Sequence, residues 1–363
     1  MITIKGFTPA ELAVSHPDID KHPSLRFYDA KSEPFRLYGF CDVYNDDIYR
    51  RIPESVAKAT SPGVLGLHRN TAGGRVRFCT SSPYVAIKCV NGGCSGGTGM
   101  STTGSSGFDV YTKRTGRETF CVTFRPDTQY GEGGYVSLRP LSGDMNGDGE
   151  YEVTINFPPY ANVYQLYIGL DENATLSRHP DYTYEKPVLY YGSSITQGGH
   201  ASRPGMIYEA LISRRLDTNY INLGFAGNCR GEDAIAEYMA SLDYSVFVCD
   251  YDHNAPSEAH LAATHEKLYL KIRTAHPDVP VVFVTRPNFW LHYSYNSARR
   301  DIIYTTYNNA RQRGEKVLFV DGYGLFAGEL REECTSDGTH PNDLGMARMA
   351  DVIGKAVDFA LSM

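Results

Sequence analysis

No apolar run in the sequence approaches the roughly 20 residues that a helix needs to cross a bilayer, so no membrane-spanning segment is expected. The amino terminus, Met1-Ile2-Thr3-Ile4-Lys5-Gly6-Phe7, has neither a secretory apolar core nor a small-residue cleavage site. It reads as the start of a cytoplasmic chain, or of a periplasmic or secreted one whose leader has been removed. Positive charge is scarce: 35 Lys and Arg against 42 Asp and Glu leave a net charge of −7. A nucleic-acid binder would carry a basic face, so that class is set aside. The eight cysteines are Cys41, Cys79, Cys89, Cys94, Cys121, Cys229, Cys249 and Cys334, and none form a C-x-x-C pair. That spacing argues against a structural zinc site. Cys79, Cys89, Cys121 and Cys249 lie inside apolar runs, where a thiol behaves as a small buried hydrophobe, so reduced thiols are expected.

What is present has two textures. The 363 residues suffice for two domains of ordinary size. Residues 1–36 are polar, poorly periodic and proline-rich, and read as a lead-in packed over the first domain. Short strand-like runs follow at 35–43, 76–80, 84–90, 108–113, 118–124, 135–140, 151–157 and 163–170, most of them separated by turn residues. Their spacing predicts an all-β sandwich. Residues 91–107 are almost wholly Gly, Ser, Thr and Asn, and read as a long mobile loop able to reach over a neighbouring site. Asp144-Met145-Asn146-Gly147-Asp148-Gly149 opens like a calcium loop, but Ile155 stands where the twelfth-position acid is required; a hairpin turn is the plainer reading. From about residue 184 strands and helices alternate. Strands at 188–191, 220–223, 246–249, 281–284 and 317–320 are each followed by a helix, at 204–216, 232–242, 257–275, 296–312 and 342–361. Five such units predict a parallel sheet with helices on both faces. The expected domains are residues 1–186 and 187–363.

Four stretches at or beyond the predicted carboxyl ends of these strands carry chemistry. The first is Gly192-Ser193-Ser194-Ile195-Thr196-Gln197-Gly198, where a strand breaks and a helix restarts. Such a junction exposes a serine hydroxyl at the edge where open α/β sheets bind ligands. The others are Asn222-Leu223-Gly224-Phe225-Ala226-Gly227-Asn228, Cys249-Asp250-Tyr251-Asp252-His253-Asn254-Ala255, and Asp337-Gly338-Thr339-His340-Pro341-Asn342-Asp343. A serine nucleophile needs a base and a group that orients the base, and His340 and Asp337 can supply both. The oxyanion formed on attack needs donors; the N–H groups of Ser194 and Gly227 and the Asn254 side-chain amide are the candidates. Alone, Ser194 reads equally as a helix N-cap, Gly227 as a turn glycine and Asn254 as a loop asparagine bonding its own backbone.

Together the four stretches resemble, in order and spacing, the four blocks of the SGNH (GDSL-type) hydrolase family. The resemblance covers residues 187–363. Ser194 matches the nucleophile, with Ser193 in place of the usual Asp. Gly227 matches the glycine block, Asn254 is the sole match in the third block, and Asp337 and His340 match the last block unchanged. Gly107-Phe108-Asp109-Val110-Tyr111 and Leu37-Tyr38-Gly39-Phe40 resemble the β-sandwich that precedes one subgroup, in which a Gly-x-Asp-Leu-Tyr motif recurs. The resemblance implies an α/β fold, a flavodoxin-like SGNH parallel sheet, preceded by an all-β jelly-roll or sandwich domain. It implies a serine esterase acting on short acyl esters, acetylated carbohydrates first, without a cofactor.

Arg286, Arg203 and Trp290 are candidate substrate-binding residues; for each, surface pairing or core packing is the plainer alternative. Tyr293 and Tyr295 could join Trp290 in a floor for a sugar ring. Asp250, Asp252 and His253 lie close together, but no further ligands occur at a matching spacing, so no metal is expected. The expected partner is a small-molecule or oligosaccharide ester. The competing readings are a lipase, lysophospholipase or arylesterase on the same machinery, a carbohydrate-binding protein with a decayed hydrolase half, and a metallohydrolase.

Overall fold

A computed structural model describes residues 5–92, 99–126, 134–141 and 149–363. The chain divides into two compact units: Met1–Arg50, Arg69–Asp181 and Arg203–Gly205 form one, and Arg51–His68, Tyr182–Ser202 and Met206–Met363 the other.

The first unit is built on two antiparallel sheets. One has the order Leu25–Asp29, Val163–Asp171, Tyr84–Asn91, Tyr135–Pro140. The other has the order Leu176–Ser177, Arg75–Thr80, Tyr151–Asn156, Phe108–Lys113, Thr119–Phe124, with Arg36–Tyr38 also paired to Arg75–Thr80. Alternate residues of both sheets, Val76 and Phe78 from one and Val85, Ile87 and Cys89 from the other, enter one buried core. Three expectations change here. The lead-in contains the edge strand Leu25–Asp29, whose Leu25 and Phe27 point inward; two apolar positions were too few to show a period. The run expected at 35–43 ends at Tyr38, because Gly39 takes φ +83° to turn the chain, and a Cβ there would meet the Gly73 carbonyl oxygen at 2.4 Å. Within 91–107 the chain forms the helix Thr102–Ser106, capped by the Ser101 hydroxyl, with Gly104, Ser105 and Ser106 buried. Residues 93–98, Cys94 among them, and most of the calcium-like turn, 142–148, lie outside the described residues.

The second unit holds a five-stranded parallel sheet in the order Thr218–Gly224, Tyr184–Gly192, Val246–Asp250, Val281–Val284, Val317–Val320. Counted along the chain this order is 2-1-3-4-5, the flavodoxin-like arrangement. The pleat sorts the apolar residues to two faces. Leu189, Tyr191, Phe247, Cys249 and Phe283 meet the helices Asp233–Ser241, Glu258–Ala275 and Tyr293–Gln312. Val188, Tyr190, Val246, Val248 and Val282 meet Tyr208–Leu216 and Asp343–Leu361. Residues 51–68, sequentially inside the β-rich half, pack with this unit through the helices Glu54–Thr60 and Pro62–Leu67. Ile52, Ala57 and Val64 join the first face, and the buried Arg51 donates to the carbonyls of Gly224 at 2.6 Å and Leu67 at 3.0 Å.

Gly192 lies opposite Gly224 on one neighbouring strand and Asp250 on the other. The carboxyl ends of three strands are therefore level. The sheet order reverses about the Tyr184–Gly192 strand, so the loops leaving these ends flank a crevice rather than one another.

Candidate active site

The strand Tyr184–Gly192 runs directly into the one-turn helix Ser194–Gln197. Its N-cap is Ser193, whose Oγ accepts from the Ile195 N–H at 3.2 Å. The cap role therefore falls on Ser193, and the Ser194 hydroxyl is used elsewhere. Ser194 Oγ lies 2.8 Å from His340 Nε2, and His340 Nδ1 lies 2.7 Å from Asp337 Oδ2. The second Asp337 oxygen accepts from the backbone N–H groups of Thr339 at 2.9 Å and His340 at 2.7 Å. Partial burial would raise the Asp337 pKa, but the bonds from the His340 ring and these two N–H groups outweigh it and hold it at about 2. Ionised Asp337 fixes the proton of His340 on Nδ1, leaving Nε2 to accept from a hydroxyl.

The turn helix is held from below. Thr196 Oγ1 donates to Asp250 Oδ2 at 3.0 Å, and Tyr208 OH reaches the same oxygen at 3.3 Å. The Asn222 amide donates to the Thr196 carbonyl at 2.5 Å and to Glu209 Oε1 at 3.2 Å. Burial, with the nearby Asp252 charge, pushes the Asp250 carboxyl up to about 7, and burial raises Glu209 well above its ordinary value. A Cβ on Gly224 would meet the Gln197 nitrogen at 2.2 Å, so the floor of this helix is glycine by necessity.

Gly227 is exposed, has φ +71°, and has no atom within 4 Å of where a Cβ would stand. Its loop is tied to the one-turn helix Ser194–Gln197 by Gln197, whose Oε1 accepts from the Ala226 N–H at 2.9 Å. Asn254 Oδ1 accepts from the Cys229 N–H at 3.3 Å. With its oxygen so engaged, the amide keeps its two N–H groups for another acceptor. Gln197 and Asn222 both lie inside the stretches read from the sequence, but neither was assigned a role there.

His200 was also missed. Its ring stacks on His340, centroids 4.5 Å apart and 26° from parallel, and its Nδ1 lies 2.5 Å from Ser336 Oγ. Burial, reinforced by the neighbouring His340, lowers its pKa despite Asp337. Among the described residues the grouping compact enough to hold an ion is His200, Asp337 and His340, with ligand atoms within 4.8 Å of one another. Two of its members are already hydrogen-bonded to each other. The acidic stretch that tempted a metal reading is otherwise used: Asp252, buried, pairs with buried Arg299 at 2.7 Å, and Asp250 accepts from Thr196 and Tyr208.

The candidate substrate residues part company. Arg203 pairs with the buried Asp109 at 2.9 Å, donates to Tyr111 OH, and lies 4.0 Å from the Phe120 ring centroid. Asp109 also accepts from the Gly205 N–H at 2.8 Å and from Asn156 Nδ2 at 2.9 Å. The Asp and Tyr of Gly107-Phe108-Asp109-Val110-Tyr111 thus anchor the segment 203–205, and Arg203 is engaged as its ion-pair partner. Arg286 donates its backbone N–H to Asp252 at 3.1 Å and lies over Tyr295 at 5.3 Å. Trp290 packs on Tyr323, centroids 3.9 Å apart, with Arg331 over its ring at 4.9 Å. The loop between carries Asn288, whose side-chain amide donates to the Gly338 carbonyl in the Asp337–His340 turn.

Comparison with known proteins bears on both units. The model of the GDSL-like Lipase/Acylhydrolase family matches residues 185–358, and that of the N-terminus of Esterase_SGNH_hydro-type matches residues 25–176. No curated protein matches the chain. A solved GDSL-like lipase from Bacteroides ovatus is similar, with a TM-score of 0.81 and 27% identity, covering 93% of this chain and 98% of that one. The salicylyl-acyltransferase SsfX3 from a tetracycline biosynthetic pathway shares the fold at 20% identity and a TM-score of 0.73, over 93% and 97% of the two chains. So does an acetyl xylan esterase from the rumen bacterium Butyrivibrio proteoclasticus, at 11% identity and 0.59, over 93% and 99%.

Proposed function

The chain belongs, through residues 185–358, to the GDSL-like lipase/acylhydrolase family and is a carboxylic ester hydrolase, and from that premise we propose that it cleaves short acyl esters, acetylated carbohydrates first, with Ser194 as nucleophile. The observation that carries the reading is the unbroken hydrogen-bond chain from Ser194 Oγ through His340 to Asp337, at 2.8 and 2.7 Å.

In this mechanism His340 Nε2 takes the Ser194 proton as Oγ attacks the ester carbonyl carbon. Asp337 keeps the ring oriented and stabilises the imidazolium. The developing oxyanion is held by the N–H groups of Ser194 and Gly227 and by the Asn254 amide. Tying of the Asn254 oxygen by Cys229 supports the last assignment, because it leaves N–H groups to donate. The tetrahedral intermediate collapses, the leaving alkoxide takes the proton from His340, and the acyl group stays on Ser194. Water then gives a proton to His340 and attacks the acyl carbon, the bond to Ser194 Oγ breaks as His340 returns the proton to that oxygen, and the acid leaves. No step needs a cofactor.

The carbohydrate preference rests on the fold shared with an acetyl xylan esterase and on the aromatic set of Trp290, Tyr293, Tyr295 and Tyr323, of which the three tyrosines are exposed. Aromatic faces suit sugar rings. The test is a panel of p-nitrophenyl esters of rising acyl length, run beside acetylated xylan and mannan oligosaccharides. Acetyl turnover on the sugars, falling with acyl length, is expected. Turnover that rises with chain length would replace the reading with a lipase-type one. Failure of a fluorophosphonate probe to label Ser194 would replace it with a decayed site.

A further inference from the structure

One arginine beside the site has no use in this chemistry. Arg286 follows the strand Val281–Val284, at the sheet edge that also carries the Ser194, Gly227 and Asn254 loops. Its backbone is pinned from two sides. Its N–H donates to Asp252 at 3.1 Å, and a Cβ on Gly322 would lie 1.9 Å from its carbonyl oxygen. Its guanidinium lies over the Tyr295 ring, and among the described residues no carboxylate or carbonyl accepts from it.

Arg299 makes the contrast. It lies near the same ring at 5.1 Å, but its guanidinium donates to Asp252 Oδ1, to the carbonyls of Asp252 and Ala255, and to Tyr295 OH. Buried Asp252 bonds directly to the Arg299 guanidinium and also feels the Arg286 charge, so one carboxylate faces two guanidiniums and a positive charge is left over. A partly buried cation that must share its counter-charge is unfavourable, and a planar fork of donors suits a carboxylate.

The loop that Arg286 opens is tied to the base: the Asn288 amide donates to the Gly338 carbonyl in the Asp337–His340 turn. Burial holds the nearby His253 imidazole neutral, and the charges of Arg286, His340 and Arg299 act on it in the same direction. The His253 Nε2 is shut off from solvent and has no hydrogen-bond partner.

We propose that Arg286 forms an anion subsite beside the Ser194–His340–Asp337 chain, and that the preferred substrate is an ester bearing a carboxylate. The inference rests on the esterase reading above. The carboxylate can sit on the acyl half, as in a half-ester of a dicarboxylic acid, or on the alcohol half, as in an acetylated uronic acid. Either presents the same planar anion to the guanidinium.

The experiment compares matched pairs on the full-length protein. Mono-p-nitrophenyl glutarate is set against its methyl ester, and acetylated glucuronic acid against acetylated glucose. The readout is the ratio of kcat/KM for charged over neutral within each variant, which general loss of folding or activity does not move. The intact protein is expected to favour the anion in one pair by about 10–100-fold, the scale of a charge-assisted hydrogen bond. Arg286→Gln should bring that ratio close to one, mainly through KM. Arg286→Lys should restore part of it, and added salt should weaken it. The pair that shows the preference identifies the half of the ester carrying the charge. Turnover of the neutral esters with no anionic preference, or a preference that survives Arg286→Gln, overturns the subsite and leaves the esterase reading standing. No turnover of any ester, together with no fluorophosphonate labelling, overturns both.

Discussion

Adjacent serines divide two roles that one serine could not hold. Ser193 Oγ is spent on the Ile195 N–H, and Ser194 Oγ is left to meet His340. A short polar side chain at position 193 suits an N-cap, which Asp fills as well as Ser. This explains physically how Ser193 can stand where the family carries Asp. Ser194→Ala is expected to lower kcat/KM by about 10⁴-fold or more and to abolish fluorophosphonate labelling, with thermal stability nearly unchanged. Asp337→Asn should cost about 10⁴-fold, because an amide at this position can no longer fix the productive His340 tautomer. The folded Asp337 pKa of about 2 lies below the ordinary carboxylate value. Its stabilising effect is therefore complete above about pH 4 and lost as pH falls through about 2. No acid limb from Asp337 should appear in a rate profile taken above about pH 4. Such a limb would mean that its three hydrogen bonds are not formed in solution.

At the scale of elements, the one-turn helix Ser194–Gln197 is too short to stand alone and takes its position from what lies beneath it. Thr196 rests on Asp250 and Asn222, and Gln197 reaches across to the Gly227 loop. Gly224→Ala would drive a methyl group into the Gln197 backbone, so activity should fall at least ~100-fold with a clear drop in Tm. Gly227→Ala meets no atom and should cost only the ~1 kcal/mol of a left-handed non-glycine residue, read from urea unfolding. Asp250 gives a pH signature. Its folded pKa of about 7 is raised above the unfolded value, so the native state binds the extra proton between about pH 4 and 7. Stability should fall as pH rises through that window. Asp250→Asn, neutral throughout, should become more stable relative to the intact protein at pH 8 than at pH 5, on the order of a few kcal/mol. Parallel unfolding curves at the two pH values would count against a buried, protonated Asp250.

At the scale of the whole molecule, the α/β unit is not a continuous piece of chain. Residues 51–68 cover one face of its sheet, where Ile52, Ala57 and Val64 are fully or almost fully buried. Arg51 is buried there too, its guanidinium 4.7 Å from the Phe225 ring centroid. A fragment starting at Tyr182 contains the whole Ser194–His340–Asp337 chain, yet it uncovers the part of that face where Ile52, Ala57 and Val64 pack. It should bind a hydrophobic dye, melt well below the full chain, and be rescued in part by fusing residues 51–68 through a flexible linker. A fragment as stable as the intact protein would show that these helices add little.

Local pattern alone determined the five strand–helix units, because a buried parallel strand is a continuous apolar run and its helices repeat every three to four residues. It also pointed to Ser194, Asp337 and His340 as candidates, because their residue types and order suit one chemistry. Only the tertiary structure decided the rest. The pairing of Leu25–Asp29 and the docking of residues 51–68 depend on partners more than a hundred residues away. The same holds for the stacking of His200 on His340, and the engagement of Arg203 by Asp109 spans 94 residues. Such contacts leave no period in the sequence. Ser194 itself shows the division: its neighbours mark a strand-to-helix turn, but its 2.8 Å bond to His340 spans 146 residues and exists only once the sheet is assembled.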